Sequence, residues 1–411
     1  MKYTKSSKND INKRKILKLC VVLLTFLVMG FYKNTYAANN LDDESSTNDE
    51  NSQNSVQGVS DSLDFEEYVN KIDEYVKASG LEEIDINSVT QNFLENGKID
   101  NQTILKSLIN MFGKEILANL KGAIVVYIII ILMSIITSLD MEEKGDITKI
   151  AKLVCFVALS TVMIKNFLEV VAAFKNVVTV LTTIMQIVSP FLLAVLIATG
   201  ALSTTGIVQP ILLFLASLVG FLINYVVIPF FMISVAFNVI YSISENLRIS
   251  KVSKLFSGSA IWVVGVLFTL FLGVLSLESS VSSSVDSLTV KTTQAAVSNF
   301  VPVVGKFFSD SFETVVGATK IIGKTGGVVG IIAIILVAAI PIIKLASIVA
   351  IYNILNTLIE PIYADEKVSK YISNFTDVYK NMLGILIGIV ILFIISTGII
   401  LNLVSKIVTW Y

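Results

Sequence analysis

Histidine, the commonest general base and the commonest metal ligand, occurs nowhere among the 411 residues of this chain. The two cysteines, Cys20 and Cys155, lie far apart in apolar runs, so neither a disulfide framework nor a Cys-rich metal site is available. Asp140, Glu142, Glu143 and Asp146 cluster closely enough to suggest a cation, but Lys144 and Lys149 interleave them as in a solvated loop. Gly323-Lys324-Thr325 mimics the end of a phosphate-binding loop. Such a loop needs a glycine five residues before its second glycine, and that position is Ala318, with Gly317 one residue too far away. What remains is ionisable residues in oily surroundings. Glu169 sits between Lys165 and Lys175. Lys344 follows Pro341 inside an apolar stretch ending at Glu360, and intramembrane charge is costly enough to be read as functional by default, with snorkelling at a span end as the alternative. We therefore expect no enzyme, no catalytic, metal or cofactor residues, and no nucleic-acid partner.

The elements that must hold these residues are set by composition. At 54% hydrophobic and 15% charged, with a mean hydropathy of +0.77, the chain is too apolar for a soluble domain. Its solvent is the lipid bilayer. The fold class expected is all-α, a polytopic helical bundle, because backbone exposed to lipid must satisfy its own hydrogen bonds.

The net charge of −1 hides three regions. Residues 1–37 carry eight Lys/Arg and one acid, residues 38–121 carry seventeen acids and six Lys, and the rest is nearly balanced. The basic start ending Lys13-Arg14-Lys15, the apolar run from Leu19 to Phe31 and then Thr35-Tyr36-Ala37 have the anatomy of a secretory signal peptide cleaved after Ala37. An uncleaved anchor is the alternative. Residues 38–64 read as an acidic, disordered linker. Residues 65–120 read as an extracytoplasmic helical module, with Phe65, Tyr68, Val69, Ile72, Tyr75 and Val76 on one stripe.

Membrane helices are expected over 121–277 and 326–411, about eight spans in all. They are Gly122–Leu139, Ile150–Ile164, Asn176–Ala198, two within Ile207–Ile243, Ser259–Leu277, Gly326–Ile343 and Asn381–Leu403. The run Ile207–Ile243 would make about 55 Å of helix, too long for one crossing, so a fold-back is expected near Asn224-Tyr225. With the acidic module outside, Arg248, Lys251 and Lys254 fall in a cytoplasmic loop. So does the loop near 361–380 with Lys367, Lys370 and Lys380, as the positive-inside rule prefers.

Residues 278–325 are neither span nor ordinary loop. Val297, Phe300, Val301, Val304, Phe307 and Phe308 recur at helical spacing, so an amphipathic extracytoplasmic segment is expected. Lys291, Phe300, Pro302, Val304, Gly305, Phe308 and Asp310 are its candidate interaction or rim residues, with a surface linker as the alternative.

Here the chain resembles the stage III sporulation protein AE family. The resemblance rests on Thr289-Val290-Lys291-Thr292, on Asn299-Phe300-Val301-Pro302-Val303-Val304-Gly305-Lys306, and on Ser309-Asp310. Further on it rests on Pro341-Ile342-Ile343-Lys344, Ala350-Ile351-Tyr352-Asn353 and Glu360-Pro361. It runs from about Leu120 to the C-terminus. The chain departs from the family around Glu360 and Tyr363-Ala364-Asp365, where members often carry Gln and Gly. The resemblance implies a permease-like membrane component of a secretion-like assembly joining mother cell to forespore, in the mother-cell membrane around the forespore. Its partners would be other membrane proteins and a separate ATPase, and it would need no cofactor of its own. The competing reading is a secondary transporter for a small solute, which Pro190, Pro210 and Pro229 keep open as breaks in helices.

Overall fold

The computed structural model describes residues 58–82, 84–96, 101–139, 146–199, 202–243, 251–274, 304–359, 361 and 366–408. All of them belong to one compact unit, Asn54–Tyr411, and no strand occurs among them. Ala37, and with it the signal-peptide reading, lies outside the described residues.

After a short helical turn at 58–62 come two short helices, α1 (Phe65–Ala78) and α2 (Ile86–Asn96). The stripe of Phe65, Tyr68, Val69, Ile72 and Val76 is buried on α1, as its spacing predicts. The turn between the helices needs Gly80, whose φ of 91° is left-handed and would strain any side chain. Asp73, buried on α1, accepts the Ile86 amide at 2.9 Å, and Asp85 accepts the Asn87 amide and the Ser88 hydroxyl at 3.1 and 2.6 Å. These carboxylates satisfy the first orphan N–H groups of α2.

The body consists of α3 (Asn101–Leu139), α4 (Asp146–Ala198), α5 (Leu202–Leu222), α6 (Ile228–Ile243), α7 (Lys251–Val274), α8 (Val304–Ile359) and α9 (Glu366–Val408). On α3, Ala123, Val126, Ile130 and Met133 face inward at 3/4 spacing. Ile124, Val125, Ile128, Leu132 and Ile135 face outward, a surface only hydrocarbon suits. Helices α8 and α9 form the most extensive pair, and α8 also packs on α4 and α3.

Among the described residues six helices are long and apolar enough to cross a membrane, against the eight spans expected of the chain. Two expected breaks are absent. Ile150–Ile164 and Asn176–Ala198 belong to one 53-residue helix that continues through Lys165–Lys175 and Pro190. Nor does the chain fold back at Asn224-Tyr225. Instead α5 passes into α6 through a π turn, Ile223–Val227. Pro229 lacks an N–H, and its ring would crowd the carbonyl four residues back, that of Tyr225. Widening the preceding turn to i→i+5 bonding keeps the rod continuous, with the Ile228 amide bonding the Ile223 carbonyl. Likewise α8 runs unbroken through residues 325–326, where a span was expected to begin.

Candidate functional site

Three places in the fold concentrate polar or glycine positions inside apolar surroundings. The first is where α1 meets the bundle. Gly323, Gly326, Gly327 and Gly330 fall on α8 where a β-carbon would overlap Val195, Phe191, Leu401 and Val188 respectively. Glycine is needed there so that α4 and α9 can approach the α8 backbone. Into this hollow α1 inserts Tyr68, whose hydroxyl donates to the Gly326 carbonyl at 2.7 Å and whose ring stacks on Phe191 at 4.0 Å between centroids. Burial pushes the Tyr68 hydroxyl well above its ordinary pKa, so it acts as a neutral donor. The Gly323-Lys324-Thr325 motif is thus helix, not loop. Its first glycine serves packing.

The second is a polar seam joining α6, α7 and α9. Ser234 and Ser253 exchange bonds between side chains and carbonyls at 2.7 and 2.8 Å. Asn238 donates to the Tyr371 carbonyl at 3.2 Å and accepts from Asn374 at 2.7 Å. Asn381 donates to Ser257 at 2.7 Å. Such neutral amide and hydroxyl pairs hold membrane helices in register. Beside it, Phe156, Phe167, Tyr371, Phe375 and Tyr379 form a linked set of rings between α4 and α9, reaching Tyr352 of α8, whose hydroxyl accepts from Asn166 at 3.1 Å.

The third is an open cleft of about 320 Å³ between α4 and the α5–π segment, and it is the candidate functional site. One wall is a stripe on α4, Thr179, Thr182, Thr183 and Gln186. The other is Ser217, Gly220, Phe221, Asn224 and Tyr225. Gly220 lets the walls close, because a β-carbon there would sit 3.1 Å from the Thr182 hydroxyl. Gln186 donates across the cleft to Ser217 at 3.2 Å. No Asp, Glu, Lys or Arg occurs from Asn176 to Ser244, so these hydroxyl and amide groups lie within the longest charge-free stretch of the chain.

The residues singled out from sequence lie elsewhere. Lys291, Phe300, Pro302 and Glu360 lie outside the described residues. Val304, Gly305, Phe308 and Asp310 fall in the opening turns of α8, whose backbone alone is described there. Lys344 sits half-buried well inside α8, and its carbonyl faces the Asn119 amide at 3.5 Å. Glu169 is exposed on α4. The cleft was missed because it holds no residue charged at neutral pH. Its signal was polar residues at helical spacing within a charge-free run.

Apolar outward faces, six helices able to cross a bilayer among the described residues and polar seams between them define a polytopic, helical membrane protein. The chain belongs to the stage III sporulation protein AE family, whose family model matches residues 84–403, and is therefore a sporulation protein of the membrane. A curated relative, the stage III sporulation protein AE of Bacillus subtilis (strain 168), is 26% identical over 229 residues. That alignment spans 56% of this chain and 57% of the relative, less than two thirds of its length. No solved structure matches.

Proposed function

We propose that the protein is a multi-pass subunit of a secretion-like channel assembly linking mother cell and forespore, required for late forespore development. The family match over residues 84–403 is the observation that carries this reading. In it, the protein resides in the mother-cell membrane around the forespore, with residues 65–120 outside the cytoplasm. Residues 278–325 serve as docking or channel-rim surface, with Lys291, Phe300 and Asp310 among its contacts. Other membrane proteins surround it, and a separate ATPase supplies the energy. Deleting the protein in its spore-forming host should arrest the forespore after engulfment and leave vegetative growth unchanged. A chain that functions in such an assembly should co-purify with an ATPase from sporulating cells. Normal spores from the deletion strain would end this reading.

A second reading, secondary transport of a small solute, has the open cleft beside the π turn in its favour, since transporters bind at irregular helices within the membrane. Purified protein in liposomes separates the two. The assembly reading expects no gradient-driven uptake. Uptake abolished by Lys344→Ala would favour the transporter.

A further inference from the structure

We propose that the outer face of α1 is wetted at the depth of the hydrocarbon core, where it forms one wall of a water-filled inlet into the membrane.

Close contacts along α8 set the levels of its neighbours. Val195 of α4 and Val404 of α9 lie against Gly323, Phe191 against Gly326, Leu401 against Gly327 and Val188 against Gly330. Both helices therefore run antiparallel to α8, with uncharged stretches in step: residues 325–343 of α8, 176–198 of α4 and 381–405 of α9. Lysines close this slab, Lys324 at one edge and Lys344, Lys175 and Lys380 at the other. From Lys324 to Lys344 is about 30 Å of helix, the thickness of a hydrocarbon core. Other helices at this level turn outward what lipid prefers. The Gln186–Ser217 bond brings Phe214 of α5 near the level of Gly330, and Phe268 beside Gly388 brings Leu270 of α7 into the same slab. Phe214 and Leu270 are both exposed.

Helix α1 lies inside this slab. Tyr68 bonds the Gly326 carbonyl near one end, and Gly80, just beyond the other, faces Ile340, whose Cδ1 is 3.6 Å from the glycine's β-carbon position. That lays about 21 Å of amphipathic helix alongside residues 326–340. Its inner face is buried, but Glu66, Glu67, Asn70, Lys71, Glu74 and Lys77 are exposed. Lys71 and Glu67 pair at 2.5 Å with their side chains 53% and 64% exposed. Charges at membrane depth face either a protein interior or water, because lipid tails cannot solvate them. The turn after α1 points the same way independently. At Gly80 it is irregular backbone level with Ile340, and Glu82 and Asp85 on it are exposed. Non-helical backbone at that depth is tolerated only within protein or beside water. Lipid is thus excluded on two grounds, and the occupant is water. The inlet deepens the assembly reading by giving its conduit a wall, while resting on geometry alone. Normal spores from the deletion strain end that reading, and a dry α1 ends this one.

The test uses the full, cysteine-free chain (Cys20→Ala, Cys155→Ala) in liposomes, with single spin labels at Asn70→Cys, Glu74→Cys and Glu82→Cys. Phe214→Cys and Leu270→Cys report the lipid-facing surface at the same depth. A water-soluble nickel chelate should relax the labels at 70, 74 and 82 more strongly than oxygen does, and the order should reverse at 214 and 270. A second measurement leaves the sequence of the chain untouched. A water-soluble carbodiimide with a glycine ester should modify Glu66 and Glu74, read by mass spectrometry, and a lipid-soluble carbodiimide should leave them alone. Oxygen-dominated relaxation at 70 and 74 puts the face in lipid and overturns the proposal. Labels there that neither agent reaches mean that protein covers the face, which overturns it as well. Nickel relaxation as strong at 214 and 270 as on α1 moves the whole level out of the bilayer, and the inlet with it.

Discussion

Tyr68 is the residue through which the short helices are fixed to the bundle, and its fit depends on having no side chain at Gly326 and Gly330. A β-carbon on Gly330 would meet Val188 and would stand 3.1 Å from the Tyr68 hydroxyl. Removing the hydroxyl and removing the hollow should therefore differ in size. Tyr68→Phe loses one buried hydrogen bond but keeps the stacking on Phe191, a cost of about 1 kcal/mol. Gly330→Leu forces four extra heavy atoms against α4 and α1, and overpacking of that kind costs roughly 1–3 kcal/mol or more. Proteolysis of residues 65–96 in the membrane-embedded protein should rise modestly in the first and sharply in the second. Gly384→Leu is the control, since nothing lies within 4 Å of its β-carbon position. If Gly384→Leu loosens α1 as much as Gly330→Leu does, the hollow is not what holds Tyr68.

At the scale of elements, the start of α2 supplies a pH-dependent contact. The Ser88 hydroxyl and the Asn87 amide hold the Asp85 carboxyl below its ordinary value of 3.8. A depressed carboxylate contributes stability that is complete above its unfolded value and lost as pH falls through the folded one. Hydrogen-exchange protection of the amides at 87–89 should thus be flat near neutrality and decline below about pH 4. Asp85→Ala should lower that protection by about 1 kcal/mol at pH 7, the usual worth of an N-cap, and remove the acid-limb decline. A variant that kept the decline would assign it to other groups. The seam behaves differently because it carries no charge. Asn238→Leu strands the half-buried Asn374 amide, which then has no Asn238 oxygen to bond, whereas Asn238→Leu/Asn374→Leu removes both partners. The double variant should be nearer wild type in thermal stability than the single one, because an unmade buried bond costs more than an absent pair. If the single variant is the more stable of the two, the seam is not a hydrogen-bonded lock.

The whole molecule shows where sequence reasoning reached and where it stopped. Helix type and buried faces were legible: Phe65, Tyr68, Val69, Ile72 and Val76 occupy the interior because 3/4 spacing allows little else. The chain's family was legible in residues 289–361. Helix ends were not. Bilayer thickness suggested cutting Ile207–Ile243 at Asn224-Tyr225, yet a π turn absorbs Pro229 without a bend back, a choice hydropathy does not encode. The cleft is marked in the sequence only by a neutral stripe, Thr179, Thr182, Thr183 and Gln186, because no charged residue lines it. If each of the six membrane-capable helices among the described residues crosses once, accessibility can tell that arrangement from one of eight spans. With the α5–α6 rod crossing once as Pro210–Ile243, the chain before it and the chain after it lie on opposite sides of the membrane. With eight, two crossings separate them and they share a side. An impermeant thiol reagent applied to sealed, oriented vesicles of the cysteine-free chain should label Ala201→Cys and Asn246→Cys from opposite faces. Asn224→Cys should resist it from both, since that position lies midway along a continuous, uncharged helical rod rather than at a fold-back. Labelling of positions 201 and 246 from one face, with position 224 reactive from the other, would restore the fold-back and the eight-span arrangement.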